Sequence, residues 1–275
     1  MSELLLFGKG WLGSRLAEYL QCNTSSRRIN KYEDVQEEID KLKPKVIINC
    51  IAGFGRNVDD CELDKTKTLF AHTFVPLLMA EAALRNRIKL VHVSTGCMFE
   101  YDYSKNIAIK EDRTPDFHDL YYARTKEYTE AALNALGDST NILTVRPSLP
   151  LDYIPHPRNL LDKLIGYKSV IDIAQSVTYV PDFLAAVKHL IKKDAKGTYN
   201  TVNYGGLKYR ELLEEYRKYA PTHNYAIASQ RELKLIRSNV ILSTDKLEES
   251  GFEIRDIHDV IYECVSKYIE MVEQN

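Results

Sequence analysis

The sequence predicts an α/β protein built on a parallel, doubly wound sheet, and three features carry that prediction. Through residues 1–150, short apolar runs of strand type alternate with helical periodicity, the pattern of parallel strands with helices on both faces. The first run, Leu4-Leu5-Leu6-Phe7, leads directly into Gly8-Lys9-Gly10-Trp11-Leu12-Gly13 and then into a helically patterned stretch at 14–20. With 275 residues, 44% of them hydrophobic, the chain can bury a substantial core.

Taken in order, a helix is predicted at 33–42, an apolar strand at 45–50, a long helix at 65–85, a strand at 88–94, a helix carrying Tyr122 and a strand at 141–145. Arg146-Pro147-Ser148 ends that last strand, and Pro150, Pro155 and Pro157 break the loop that follows. Beyond it the alternation lapses, with helices expected at 158–166, 181–192, 209–219 and 256–271. No internal repeat, low-complexity tract or flexible linker divides the chain. The expected organisation is therefore a sheet domain at 1–150, completed by parts of 168–203, and a smaller lobe at 151–275 that grows out of the sheet without being an independent domain.

The glycine turn has a specific use. Glycines at these spacings allow a tight turn, close approach of backbone to a pyrophosphate and close packing of helix on strand, with the helix N-terminus facing the phosphates. A lone G-x-G-x-x-G is common by chance; here a strand precedes it and a helix follows. The fold class is accordingly a Rossmann-type sheet. Where an acid about 20 residues on would select NAD(H) through the ribose 2′-hydroxyl, the chain has Asn23-Thr24-Ser25-Ser26-Arg27-Arg28. Arg27 and Arg28 suit a 2′-phosphate through charge-assisted hydrogen bonds, which favours NADP(H) over NAD(H).

A second constellation lies downstream. Tyr122 and Lys126 are four residues apart, hence on one helical face, and Ser94-Thr95-Gly96-Cys97 supplies hydroxyls upstream. The lysine charge would favour tyrosinate and bring a phenol of reference pKa ~10 toward working pH, giving a proton relay for hydride transfer to a carbonyl. In a chain with 18 tyrosines a solitary Y-x-x-x-K is more often a solvated helix pair, so order and spacing after the glycine turn carry the reading.

Bulk properties narrow the class. A net charge of −2 gives no electrostatic case for nucleic acid or an anionic membrane, and no apolar run has transmembrane length. Five scattered cysteines, Cys22, Cys50, Cys61, Cys97 and Cys264, lack C-x-x-C spacing, so neither a disulfide framework nor a metal site is expected, and reduced thiols in a cytoplasm are.

At this point the residues resemble a family. The glycine turn, Ser94-Thr95, Tyr122 with Lys126, Arg146-Pro147-Ser148 and Tyr179-Val180-Pro181-Asp182-Phe183 together resemble extended short-chain dehydrogenase/reductases acting on nucleotide sugars. Gly53-Phe54-Gly55-Arg56-Asn57-Val58-Asp59-Asp60-Cys61-Glu62, Thr95-Gly96-Cys97-Met98-Phe99-Glu100-Tyr101-Asp102 and Pro157-Arg158-Asn159 resemble, within it, the bifunctional nucleotide-rhamnose synthases, which are epimerase-reductases akin to dTDP-4-dehydrorhamnose reductase. The likeness runs from the first glycine to about Asn203 and weakens beyond.

That resemblance implies a 3,5-epimerase/4-reductase converting a UDP- or dTDP-4-keto-6-deoxyglucose to the rhamnose nucleotide with NADPH, downstream of a 4,6-dehydratase. It implies Thr95, Tyr122 and Lys126 as the reductive residues, and Cys97 and Lys163 as the proton-transfer pair of epimerisation. Gly8, Gly10, Trp11, Leu12, Gly13, Arg27, Arg28, Ala52 and Gly53, with Tyr122 and Lys126, would bind cofactor; Arg56, Asn57, Cys97 and Asn159 would bind substrate. A homodimer through helices at about 65–85 and 120–136 is also implied.

The chemistry is coherent. A 4-keto group acidifies the hydrogens at C3 and C5, so inversion needs one group to remove a proton and another to return it to the opposite face. A thiol lowered by a nearby cation would serve as base and a lysine as acid. His72 departs from the family, which commonly has asparagine there, and leaves the relay to Lys126 open. Read singly, Cys97 is a small buried residue, Lys163 a solvated helix lysine, Thr95 a strand end, and Arg56, Asn57 and Asn159 loop residues. Competing readings are a monofunctional 4-keto reductase, an epimerase or dehydratase that retains its cofactor, and a non-catalytic regulatory subunit. Gly96-Cys97 stands where dehydratases usually carry Asp-Glu, and the retained Tyr122 and Lys126 speak against the last. The nucleotide base, UDP, dTDP or GDP, is not legible.

Overall fold

The computed structural model of the chain describes residues 3–52, 58–137, 140–229, 232 and 236–274. The first half alternates strand and helix: β1 (Leu4–Phe7), α1 (Trp11–Leu20), β2 (Asn23–Ser25), α2 (Tyr32–Leu42), β3 (Val46–Asn49), α3 (Asp60–Leu63), α4 (Lys65–Leu69), a π-helical turn (Phe70–Phe74), α5 (Val75–Asn86), β4 (Lys89–Val93), α6 (Tyr121–Ala135) and β5 (Ile142–Arg146). There follow β6 (Pro150–Leu151), α7 (Leu160–Ile165), β7 (Ser169–Ile171), β8 (Thr178–Tyr179), α8 (Val180–Lys192), β9 (Gly197–Asn200), α9 (Tyr209–Arg217), β10 (Ala226–Ala228), α10 (Asp245–Glu249) and α11 (Ile257–Glu273).

Six strands form one sheet in the order β2-β1-β3-β4-β5-β9, every pairing parallel. Because side chains alternate along a strand, each short apolar run supplies both faces. Leu5, Phe7, Ile47 and Leu90 pack with Val35, Ile39, Met79 and Leu133 of α2, α5 and α6. Leu6, Ile48, Val91 and Val145 pack on the opposite face with Leu16 of α1 and Phe183, Val187 and Leu190 of α8. Each fully buried aliphatic side chain contributes about 1.5–3 kcal/mol, and both faces being covered explains why the strands read as continuous hydrophobic runs. The strand order reverses between β1 and β3, which opens a crevice at their carboxyl ends. A further apolar cluster, drawn from α7, α9 and α11, builds the wall facing that crevice around Leu161, Leu212 and Ile261.

The helix expected at 65–85 is interrupted. Pro76 has no N–H to give the His72 carbonyl four residues back, and Val75 N–H bonds Phe70 O five residues back, a π-type turn. The Thr129 hydroxyl of α6 donates to the freed His72 carbonyl at 2.5 Å, and the Thr73 hydroxyl donates to Thr125 O at 3.0 Å. The widened turn thus locks to α6 and leaves His72 buried beneath it. Pro150 starts the two-residue strand β6, paired with β8, where the sequence suggested loop.

Candidate active site in the crevice

The glycine turn follows β1. Gly8 has φ +98°, and a Cβ there would lie 2.5 Å from Cys50 C and Ile51 N; a Cβ at Gly13 would lie 2.0 Å from Gly8 O. These two positions need glycine for the turn and for the approach of α1 to β1. A Cβ at Gly10 would instead meet a single group within 4 Å, Arg158 Nη1 at 3.7 Å, so the space over the turn is open to a ligand. A cavity of about 470 Å³ runs from this turn past Leu12, Ile51 and Ala52 to Thr95, Tyr122 and Lys126. The cradle fits the pyrophosphate of a dinucleotide.

Thr95 and Cys97 lie just past β4, and Tyr122 and Lys126 on the first turns of α6. The Thr95 hydroxyl accepts the Cys97 N–H at 3.2 Å and hydrogen-bonds the Tyr122 phenol. Cys97 Sγ lies 3.8 Å from Ser148 Oγ at the end of β5. Burial pushes the Tyr122 phenol well above its ordinary range, with the nearby Cys97 adding to it and the Thr95 bond opposing. Burial likewise lowers Lys126 to about 8, against the carboxylate of Glu130, which favours its ammonium. The expected drift of Tyr122 toward working pH is therefore not what the crevice imposes: desolvation keeps the phenol protonated, the form a general acid needs. The Cys97 thiol is also raised by burial, which outweighs Ser148, Thr95 and Arg237; the expectation of a cation-lowered thiol gives way for the same reason.

One turn beyond Lys126, Glu130 is held in a buried cluster. Arg146 Nε and Nη2 donate to Glu130 Oε2 at 2.9 and 2.5 Å, and the Ser94 hydroxyl donates to Glu130 Oε1. His72 packs edge-on against Tyr122, ring centroids 5.3 Å apart. Its Nδ1 is 3.0 Å from Thr125 Oγ1, whose own proton goes to Tyr122 O, so Nδ1 carries the proton. Burial lowers the His72 pKa to about 2, with the Lys126 charge adding to it, and the ring is neutral.

A second cavity of about 420 Å³ adjoins the first and shares Cys97, Tyr122, Arg158 and Lys163 with it. Lys163, on α7, is lowered by burial and by the Arg158 and Arg237 charges. Arg237 closes one side through a two-pronged ion pair with Asp59, Nη2 to Oδ2 at 2.8 Å. The far end is lined by Leu164, Val170, Tyr167 and Tyr209.

Other expected site residues fare differently. Asn159 does not reach either cavity: it is fully buried, its Oδ1 accepts the Asp152 N–H at 3.0 Å and its Nδ2 donates to Asp162 at 2.8 Å, so it caps α7 and is a structural residue. Arg27 Nη1 lies 2.6 Å from Glu37 and 3.4 Å from Asp34 of α2, which turns its guanidinium away from a phosphate role; Arg28, beside it, is exposed. Gly53, Arg56 and Asn57 lie outside the described residues. Sequence reading assigned no role to Arg158, Arg237, Asp59 or Glu130, although Arg158 and Asp59 sat in motifs already singled out.

The family model described as RmlD substrate binding domain matches residues 3–269. The chain belongs to that family. A bifunctional dTDP-4-dehydrorhamnose 3,5-epimerase/dTDP-4-dehydrorhamnose reductase from Arabidopsis thaliana is 30% identical over 96% of this chain and 92% of its own length. The crystal structure of the L780 UDP-rhamnose synthase from Acanthamoeba polyphaga mimivirus superposes with a TM-score of 0.90 at 26% identity, covering 96% of this chain and 98% of that one. A dTDP-4-dehydrorhamnose reductase from Bacillus anthracis, in complex with NADP, shares the fold with a TM-score of 0.81 at 22% identity, covering 98% and 99%. This RmlD-family chain therefore has the Rossmann-type architecture of nucleotide-sugar reductases along nearly its whole length.

Proposed function

We propose that the protein is an NADPH-dependent oxidoreductase that epimerises a UDP- or dTDP-4-keto-6-deoxyglucose at C3 and C5 and reduces it at C4 to the rhamnose nucleotide. The observation that carries this reading is that Cys97 and Lys163 line the same cleft as Thr95, Tyr122 and Lys126. The full-length likeness to a named epimerase-reductase supports it. When bound, NADPH supplies the hydride. Tyr122 donates its phenolic proton to O4, Thr95 hydrogen-bonds the same oxygen, and Lys126 restores the phenol's proton. With the carbonyl so polarised, negative charge developing at O4 on loss of a C3 or C5 proton is stabilised by the same two hydroxyls. Cys97 and Lys163 then exchange protons with the ring carbons, so one polarising site serves both reactions. Arg28 reads the 2′-phosphate.

The substrate's 4-keto-6-deoxy pattern requires a 4,6-dehydratase upstream. Five unpaired cysteines suit a reducing cytoplasm. Exposed Leu63, Phe74, Leu84 and Tyr128 on the outer faces of α3, the π turn, α5 and α6 fit a homodimer, which a sedimentation mass would test. The deciding experiment supplies UDP- and dTDP-4-keto-6-deoxyglucose with NADPH in D₂O and reads the products by NMR. The expected product is a rhamnose nucleotide carrying deuterium at C3 and C5. Reduction without deuterium at those carbons would leave a simple 4-keto reductase.

A further inference from the structure

The glycine turn and the C-terminal part of the chain are stitched together at one seam. From α1, Arg15 Nε donates to the fully buried Asp152 at 2.9 Å, and its guanidinium lies 5.7 Å from the Tyr153 ring centre. Trp11, immediately after Gly10, stacks on His156 with ring centroids 4.9 Å apart and planes within 5°. His156 Nδ1 accepts the Arg158 N–H at 3.0 Å, and Asn159 next door is bonded back to Asp152 through both its amide groups. The backbone of Arg158 is thus fixed from two directions. Its guanidinium ends over Gly10, at 3.7 Å from where a Cβ would be, on the boundary shared by both cavities.

Apart from the exposed Lys9, the turn itself offers partial charge only. The α1 N-terminus presents backbone N–H groups and a dipole worth about half a charge, Gly10 caps it without a side chain, and Arg15 is committed to Asp152. A pyrophosphate laid on that turn carries two full negative charges. The guanidinium above Gly10 is planar and presents paired donors, the geometry that matches phosphate oxygens. We propose that Arg158 clamps the pyrophosphate of the dinucleotide against the Gly8–Gly13 turn from the opposite side, so that the segment carrying Lys163 is drawn onto the bound cofactor. Cofactor binding and the shaping of the substrate wall are then one event, because Arg158 precedes α7 and lies beside Lys163. This rests on the dinucleotide reading of the turn.

The test is direct binding, without turnover. Quenching of protein fluorescence gives Kd for NADPH, NADH and UDP in wild type, Arg158→Gln, Arg158→Lys and Lys9→Gln. For Arg158→Gln the expectation is a rise in Kd of roughly 10-fold or more, by the same factor for NADPH and NADH, since both carry the pyrophosphate, with UDP changed less than about 3-fold. Arg158→Lys keeps the charge without the fork and should fall between; it also stands in should the glutamine variant fail to fold. Lys9→Gln, on the exposed turn, should lose less than Arg158→Gln. Unchanged NADPH affinity in folded Arg158→Gln and Arg158→Lys overturns the proposal, as does a loss confined to UDP, which would assign Arg158 to the substrate's diphosphate. Wild type that binds neither dinucleotide would instead overturn the reading of the turn itself.

Discussion

Glu130 gives the most quantitative prediction. Its side chain and that of Arg146 are each only 2% exposed, and between them run three bonds from guanidinium to carboxylate. Glu130→Gln removes the charge and keeps the shape, leaving Arg146 with Glu111 O at 3.2 Å and the Phe99 ring at 5.2 Å. An uncompensated buried charge costs about 3–5 kcal/mol, against a total stability of about 5–15 kcal/mol. In urea the midpoint should fall by roughly 1–2 M. The same change acts on catalysis, because Glu130 is the largest influence opposing the burial that lowers Lys126 to about 8. Lys126 is a base whose charged form is lost as pH rises. Without the carboxylate that loss moves to lower pH, and so does the alkaline limb of kcat.

The double variant Glu130→Leu with Arg146→Met separates the two effects. Replacing a whole buried pair by apolar groups is often neutral, so stability should return to within about 1 kcal/mol of wild type. The alkaline limb should stay displaced, because Lys126 still lacks its neighbour. A Glu130→Gln protein with an unmoved midpoint and limb refutes the reasoning. If the double variant restores the limb as well, packing and not charge set it.

Tyr122→Phe should lower turnover by roughly 10²–10⁴-fold with NADPH affinity nearly unchanged, read by steady-state rates and fluorescence titration. Arg28→Ala should raise Kd for NADPH far more than for NADH, whereas Arg27→Ala, already engaged by Glu37 and Asp34, should change both little. His72 has its folded pKa lowered to about 2 from 6.5, so its contribution to stability is present above 6.5 and is lost as pH falls toward 2. By pH 5 that is about 2 kcal/mol. His72→Asn should therefore lose less stability than wild type between pH 7 and pH 5 in urea titrations.

What could be read from sequence was what depends on near neighbours. The runs Leu4–Phe7 and Val46–Asn49 and the periodicity of Val180–Lys192 carry their structure in their own residues. The π turn does not: it needs Pro76 to free a carbonyl and Thr129, 57 residues away, to bond it. Asn159 has the composition of a sugar-binding residue, but its amide is consumed by Asp152, a partner visible only once the loop is folded. Arg27 is likewise claimed by acids a helix away. The Asp59–Arg237 pair joins positions 178 residues apart, with no local pattern to announce it. The pKa directions were the hardest to foresee, since burial, which outweighs the Thr95 hydrogen bond at Tyr122 and the Ser148, Thr95 and Arg237 influences at Cys97, is a property of the closed crevice.

If the chain epimerises as proposed, those directions bear on which of Cys97 and Lys163 removes the ring proton. The sequence reading made the thiol the base and the lysine the acid. Burial raises the thiol above its ordinary range, so at neutral pH Cys97 holds its proton. Burial and the Arg158 and Arg237 charges lower Lys163, so a larger fraction of it is neutral amine than in water. Under the proposed epimerisation, these directions make Lys163 the group to accept a proton and Cys97 the one to give it, and returning a proton to the face opposite the lysine is what inverts the centre. With NADPH omitted, so that reduction cannot drain the intermediate, the two steps separate in D₂O. Cys97→Ala should still exchange the substrate's C3 and C5 hydrogens with solvent, since Lys163 removes and replaces them on one face, while no inverted sugar accumulates. Lys163→Met should exchange neither hydrogen. If Lys163→Met exchanges and Cys97→Ala does not, the thiol is the base after all, and substrate binding must lower its pKa far enough to overcome the burial seen here.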